Sequence, residues 1–104
     1  MLNINTEYRK GVLFIRLIGR VDNDDYLNKI NDLINDFGIN YVVLNLDRLN
    51  YVSLESIAHI IKYNKKILKK KKHLLICDSN QRRNRIFKNI IPNINNELEA
   101  FSLI

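Results

Sequence analysis

Apolar and polar positions change their spacing several times along the chain, and each change marks an element. Tyr8 to Leu17 carries a Lys10-Gly11 turn signal followed by Val12-Leu13-Phe14-Ile15-Arg16-Leu17, β-prone and almost continuously apolar. That pattern predicts a hairpin turning at Gly11, its second strand ending at Gly19. Asn23 or Asp24 can then cap a helix whose Leu27, Ile30, Leu33, Ile34 and Phe37 recur at helical spacing, with Gly38 as its stop. Tyr41-Val42-Val43-Leu44-Asn45-Leu46 has strand length, is apolar on both faces and lies between turn formers, the pattern of a buried parallel strand. From Leu54 to Lys69 the helical period returns, with Ile57, Ile60, Ile61, Ile67 and Leu68 on the buried side and lysines outside.

His73 to Cys77 reads as another apolar strand, and Asp78-Ser79-Asn80 offers caps for a third helix holding Ile86, Phe87, Ile90 and Ile91, closed by Pro92. Ile94, Leu98 and Phe101 suggest a last helical segment before a short tail. The predicted order is β-β-α-β-α-β-α-α, and such alternation requires a mostly parallel sheet with right-handed crossovers. The expected class is α/β: a mixed, mostly parallel sheet of four to five strands with helices mainly on one face. The hairpin, Tyr41 to Leu46 and His73 to Cys77 should share it, with Ile57, Ile61 and Leu68 facing it.

At 104 residues, 46% of them apolar, the chain fits one domain over 1–104 with enough aliphatic material for a core. Its one cysteine, Cys77, can form no internal disulfide, which suits a reducing compartment. Met1 to Lys10 lacks the apolar core of a signal peptide, and no apolar run approaches the roughly 20 residues that cross a bilayer. The expectation is a cytoplasmic protein. Sixteen Asn, sixteen Ile and ten Lys reflect AT-rich codons rather than an activity.

The net charge of +6 is unevenly spread. Residues 62–88 hold eleven Lys and Arg against one acid, Asp78, a net of +10, which leaves −4 for the rest. Lys69, Lys70, Lys71 and Lys72 with Arg82, Arg83 and Arg85 are read as a basic patch, since both sets flank one strand. Solvated surface is the ordinary role of such residues, and an acidic protein, an anionic lipid or a nucleic acid the alternative. Tyr63 and Phe87 are the region's only aromatics, which argues against base stacking.

Catalysis needs a nucleophile and base that can meet, or a metal with its ligands. Cys77 with His59 or His73 is the one thiol and imidazole pairing, and a cysteine ending an apolar strand reads as a small core residue. Asp22, Asp24 and Asp25 sit where a helix start favours acids. Gly11, Gly19 and Gly38 are too far apart for a phosphate loop. The residues thus suggest no catalytic group, metal, cofactor or small-molecule substrate.

Val12 to Asp22, reading VLFIRLIGRVD, is similar to the apolar strand, Gly, x, apolar, Asp opening of STAS domains, which occur in sulfate transporters and anti-sigma factor antagonists. Val43 to Val52, reading VLNLDRLNYV, resembles the strand and loop leading into that family's Asp-Ser-Ser/Thr-Gly motif. The resemblance covers nearly the whole chain and implies a STAS-like (SpoIIAA-like) fold. It also implies a regulatory protein whose partner is a serine kinase that is also an anti-sigma factor, or another STAS-associated regulator. In the family the serine after the Asp accepts phosphate. Here Ser53 stands at the Asp position, Leu54 at the acceptor, Glu55 at the next Ser/Thr and Ser56 at the Gly. Leu54 has no hydroxyl, which leaves Ser53 and Ser56 as displaced candidate phosphoacceptors.

Read without the family, Ser53 is an N-cap and Glu55 an acid placed where the helix dipole favours one. Alternatively, Glu55 is a standing imitation of phosphoserine. The expected docking edge is Ser53, Leu54, Glu55 and Ser56 with Arg48, Asn50 and Tyr51 beside them. The rival roles are an accessory subunit of a lipid or anion transport system, touching the membrane only peripherally, and a nonspecific binder of anionic polymers.

Overall fold

The structure, a computed structural model, describes residues 1–104. Its elements are β1 (Leu2–Arg9), β2 (Val12–Arg20), α1 (Asp25–Phe37), β3 (Tyr41–Tyr51), α2 (Leu54–Leu68), β4 (His73–Cys77), α3 (Gln81–Phe87), β5 (Asn93–Ile94) and a 3-10 turn over Glu97–Ser102. They build a five-stranded sheet in the order β1-β2-β3-β4-β5. The β1–β2 hairpin is antiparallel, and β2–β3, β3–β4 and β4–β5 are parallel. The predicted strands do share one mixed, mostly parallel sheet.

Because side chains alternate across a strand, the apolar runs serve two cores. Leu13, Ile15 and Leu17, with Val42, Leu44, Leu46, Leu74 and Ile76, pack against residues of all three α-helices, among them Ile30, Ile34, Ile57, Ile60, Ile67 and Phe87. Val12, Phe14, Val43, Leu75 and Cys77 point the other way, where Ile94, Ala100 and Phe101 cover them. The 3-10 turn is therefore a lid on the face that carries no α-helix, and the Phe14 and Phe101 rings meet edge to face at 5.8 Å.

Three readings of the periodicity need correction. On α2, Ile57 faces the core, but Ile61 is only partly buried and Leu68 is 46% exposed. The stripe passes instead through Ile57, Ile60, Tyr63, Asn64 and Ile67, which follows from about 100° of rotation per residue once Ile67 faces inward. α3 stops at Phe87, before Ile90 and Pro92, leaving Ile86 and Ile90 exposed while Phe87 and Ile91 are buried. The Pro92 carbonyl accepts from the Ile76 N–H at 2.9 Å and so begins a fifth strand. Ile94 belongs to that strand, and Leu98 projects outward while Ala100 is enclosed.

Gly38 closes α1 in the left-handed region, its N–H bonded to the Ile34 carbonyl, as a C-terminal helix stop requires. Gly19 serves a different need. It has φ +102°, and a Cβ there would lie 2.6 Å from the Met1 carbonyl oxygen, which accepts from the Arg20 N–H at 3.2 Å. Gly19→Ala should lower the unfolding free energy by about 1–3 kcal/mol, the usual cost of a strained backbone. Chemical denaturation measures this, and a loss no greater than that of Gly11→Ala, where no atom obstructs a Cβ, would refute the steric account.

Candidate functional site

Three parallel strands end at one rim of the sheet, and the start of α2 stands on it. Ser53 is extended (φ −74°, ψ 160°), and its Oγ accepts from the Ser56 N–H at 3.0 Å, satisfying one of the unpaired amides of the first turn. The same hydroxyl donates to Ser56 Oγ at 2.9 Å. Ser53 is thus committed to the cap, and Ser56 is buried beneath it. Glu55 is exposed in the first turn, 4.0 Å from His59 Nε2. Leu54 is 75% exposed and Tyr51 60% exposed, two large apolar groups close in sequence on the rim.

The expected docking edge divides in the structure. Tyr51, Leu54 and Glu55 are exposed at the β3–α2 junction, and Asn50 is exposed just before them. Arg48 belongs elsewhere: with Asn5, Arg16, Asn45 and Glu97 it lines a polar cavity of about 400 Å³. A register shift between Arg16 and Ile18, opposite Asn45 and Arg48, adds a residue to β3 there and reverses which residues face the helices.

The neighbouring loop is tied down by a buried ion pair. Asp78 is fully buried, and Arg83 Nε donates to its Oδ2 at 2.5 Å while the Arg83 terminal nitrogen donates to Oδ1 at 2.9 Å. That carboxylate raises the Arg83 pKa further. Asp78 Oδ1 also accepts from the Asn80 N–H at 3.0 Å. Asp47 on β3 accepts from the Ser79 N–H and hydroxyl at 2.7 and 2.8 Å, which fastens this loop to the strand leading into α2.

The basic patch is therefore corrected at Arg83. Arg83 is a structural partner of Asp78 rather than a free surface charge. Lys69 to Lys72 lead into the start of β4, and Arg82 to Arg85 follow its end. Burial pushes the Cys77 thiol up to about 12, while His73 stacks on Tyr41 at the other end of β4, with ring centroids 5.2 Å apart.

One polar cluster had no counterpart in the sequence reading. Arg16 reaches out from β2 and donates through Nε to Glu97 Oε2 at 2.9 Å, and through a terminal nitrogen to Glu97 Oε1 at 2.7 Å and Glu7 at 2.8 Å. Its other terminal nitrogen donates to Asn5 at 2.9 Å, and Asn45 Nδ2 donates to Glu97 at 2.9 Å. Arg16 holds the Glu97 carboxyl below its usual value. A signal existed in the isolated arginine of an otherwise apolar strand, because a charge there needs a partner. Its identity, 81 residues away, was not readable.

No helix is long and apolar enough to cross a membrane. No family model matches the chain. Among solved structures, an anti-sigma factor antagonist from Mycobacterium paratuberculosis is similar with a TM-score of 0.83 at 12% identity, covering 100% of this chain and 94% of that one. The anti-sigma factor antagonist SpoIIAA in its unphosphorylated form gives 0.77 at 14% identity, over 99% and 96% of the two chains. The phosphorylated form of the Bacillus cell fate determinant SpoIIAA gives 0.72 at 14% identity, over 97% and 98%. The chain has the SpoIIAA-like α/β fold.

Proposed function

We propose that this chain is a non-catalytic regulatory module of the anti-sigma factor antagonist kind, docking an anti-sigma factor kinase or related regulator through the start of α2. The observation that carries the reading is the exposure of both Leu54 and Tyr51, three residues apart in sequence at the β3–α2 junction. Aromatic and large apolar anchors on a rigid edge are the groups that dominate interface energies. The Ser53 cap and the Asp47–Ser79 contacts hold that edge in place before a partner arrives, which reduces the ordering cost of association. No phosphate switch operates at the family's acceptor position, because Leu54 offers no hydroxyl, Ser56 is buried and the Ser53 hydroxyl is committed to the cap.

Titration calorimetry against the anti-sigma factor kinases encoded in the same genome tests the docking. One should bind, and Leu54→Asp should weaken it by about thirtyfold or more, on the order of 2 kcal/mol. Lys29→Ala on α1 should leave the affinity unchanged. Equal affinity for wild type and Leu54→Asp would overturn the assigned edge. Incubation with the same kinase and ATP should leave the intact mass unchanged, and stoichiometric phosphoserine at Ser53 or Ser56 would refute the lost switch. If Glu55 imitates phosphate, Glu55→Ser raises the affinity more than tenfold; if it serves the helix dipole, the affinity stays the same.

A further inference from the structure

The lysines of α2 form a feature that docking at its start does not use. Lys62, Lys65, Lys66 and Lys69 line an open groove of about 550 Å³ between α1 and α2. They occupy i, i+3, i+4 and i+7, one face of the helix, and extend over about 10 Å of its axis. Like charges at this spacing repel and weaken a helix unless acids intervene. None do: Arg16, Arg20 and Arg83 each pair with a carboxylate, whereas none of the ten lysines does. Where α1 faces the groove it contributes Leu27, the neutral Asn28 and, at its start, a single carboxylate, Asp24.

We propose that this groove binds a ligand carrying two or more phosphate groups. Four unpaired ammonium groups supply charge in one concave site, and lysine serves phosphate as a compact point charge where carboxylate recognition favours the arginine fork. The groove has the volume of small-ligand sites. Asn28 adds an amide donor and His59 an imidazole. Tyr63 also lines the groove, and it is one of three buried side chains with a polar atom that has no hydrogen-bond partner in the protein. Burial pushes its phenol up to about 12, so the hydroxyl keeps its proton. Asp24, the one carboxylate in the lining, opposes anion binding but leaves the four lysines a net excess of three positive charges. A bilayer or a nucleic-acid strand fits less well, because no exposed aromatic or apolar side chain lies among these lysines to insert or to stack. Leu68 lies on the other flank of α2, beside Ile90 and Leu103.

Calorimetric titration of the intact chain with inorganic triphosphate at low salt is the direct test. Saturable binding of one triphosphate per chain is expected, with orthophosphate at least tenfold weaker. The double variant Lys62→Gln/Lys66→Gln should weaken triphosphate at least tenfold, and Lys70→Gln/Lys71→Gln, an equal charge change outside the groove, less than twofold. All four lysines are exposed, so the variants should fold, and circular dichroism verifies it. Equal weakening by both pairs would reduce the effect to diffuse charge and overturn the site. The absence of triphosphate binding would overturn it too, including the case where anionic phospholipid vesicles or a single-stranded oligonucleotide bind instead.

Discussion

Replacing Arg83 by Met should lower the unfolding free energy by about 3–5 kcal/mol, the usual cost of breaking a buried ion pair from one side. For a domain of this size the midpoint temperature should fall by more than about 10 °C. Asp78 has no solvent exposure, and the guanidinium supplies two of the three hydrogen bonds to its carboxylate, the Asn80 amide being the third. Without Arg83 the carboxylate is left charged in the core with one donor. The double variant Asp78→Leu/Arg83→Met removes both charges and should recover most of the loss, because the desolvation cost disappears with the pair. A single-variant loss below about 1 kcal/mol, or two effects that simply add, would show that the pair is not enclosed. Since the same loop holds Asp47 through Ser79, the single variant should also weaken partner binding at the α2 edge more than the double variant does.

Arg83 also marks the limit of what local sequence patterns encode. Elements with a long, regular period were legible: the hairpin, α1 with its Gly38 stop, and α2 with its serine cap are each written in residues close together in the chain. β5 has two residues and therefore no period to detect. Ile94, Leu98 and Phe101 mimic a helical stripe, although the first pairs with β4 and the second faces solvent. Charge was legible as a total but not as pairing. Lys69 to Lys72 and Arg82 to Arg85 look alike in composition, yet Arg83 is bonded to a buried carboxylate while the lysines are free of ion pairs. The exposed Leu54 edge was accessible because it depends on a local cap; the Arg16 cluster was not, because its partners meet only after the sheet and the C-terminal turn have formed.

That cluster gives the second large effect, with a defined pH dependence. Glu97 begins the 3-10 turn that covers Phe14, Leu75 and Cys77, and Arg16 with Asn45 fastens it there. Glu97→Gln should cost about 1.5–3 kcal/mol at neutral pH, the range for hydrogen bonds to charged groups. Arg16 holds the Glu97 carboxyl below the ordinary 4.5 in the folded protein, so the fold favours the ionised form. The contribution is therefore fully present above about pH 4.5 and is lost as pH falls through the folded value. The stability difference between wild type and Glu97→Gln should thus be largest near pH 7 and shrink steadily below pH 4.5; a gap that stays constant from pH 7 to pH 3 would refute the charge-based anchor. Cys77, buried under the same turn, reports on it locally. At neutral pH a thiol reagent should label Cys77 about tenfold faster in Glu97→Gln than in wild type, because the turn opens more often while the helix-side core stays closed. Equal labelling rates would mean that Glu97 stabilises the fold without holding that turn down.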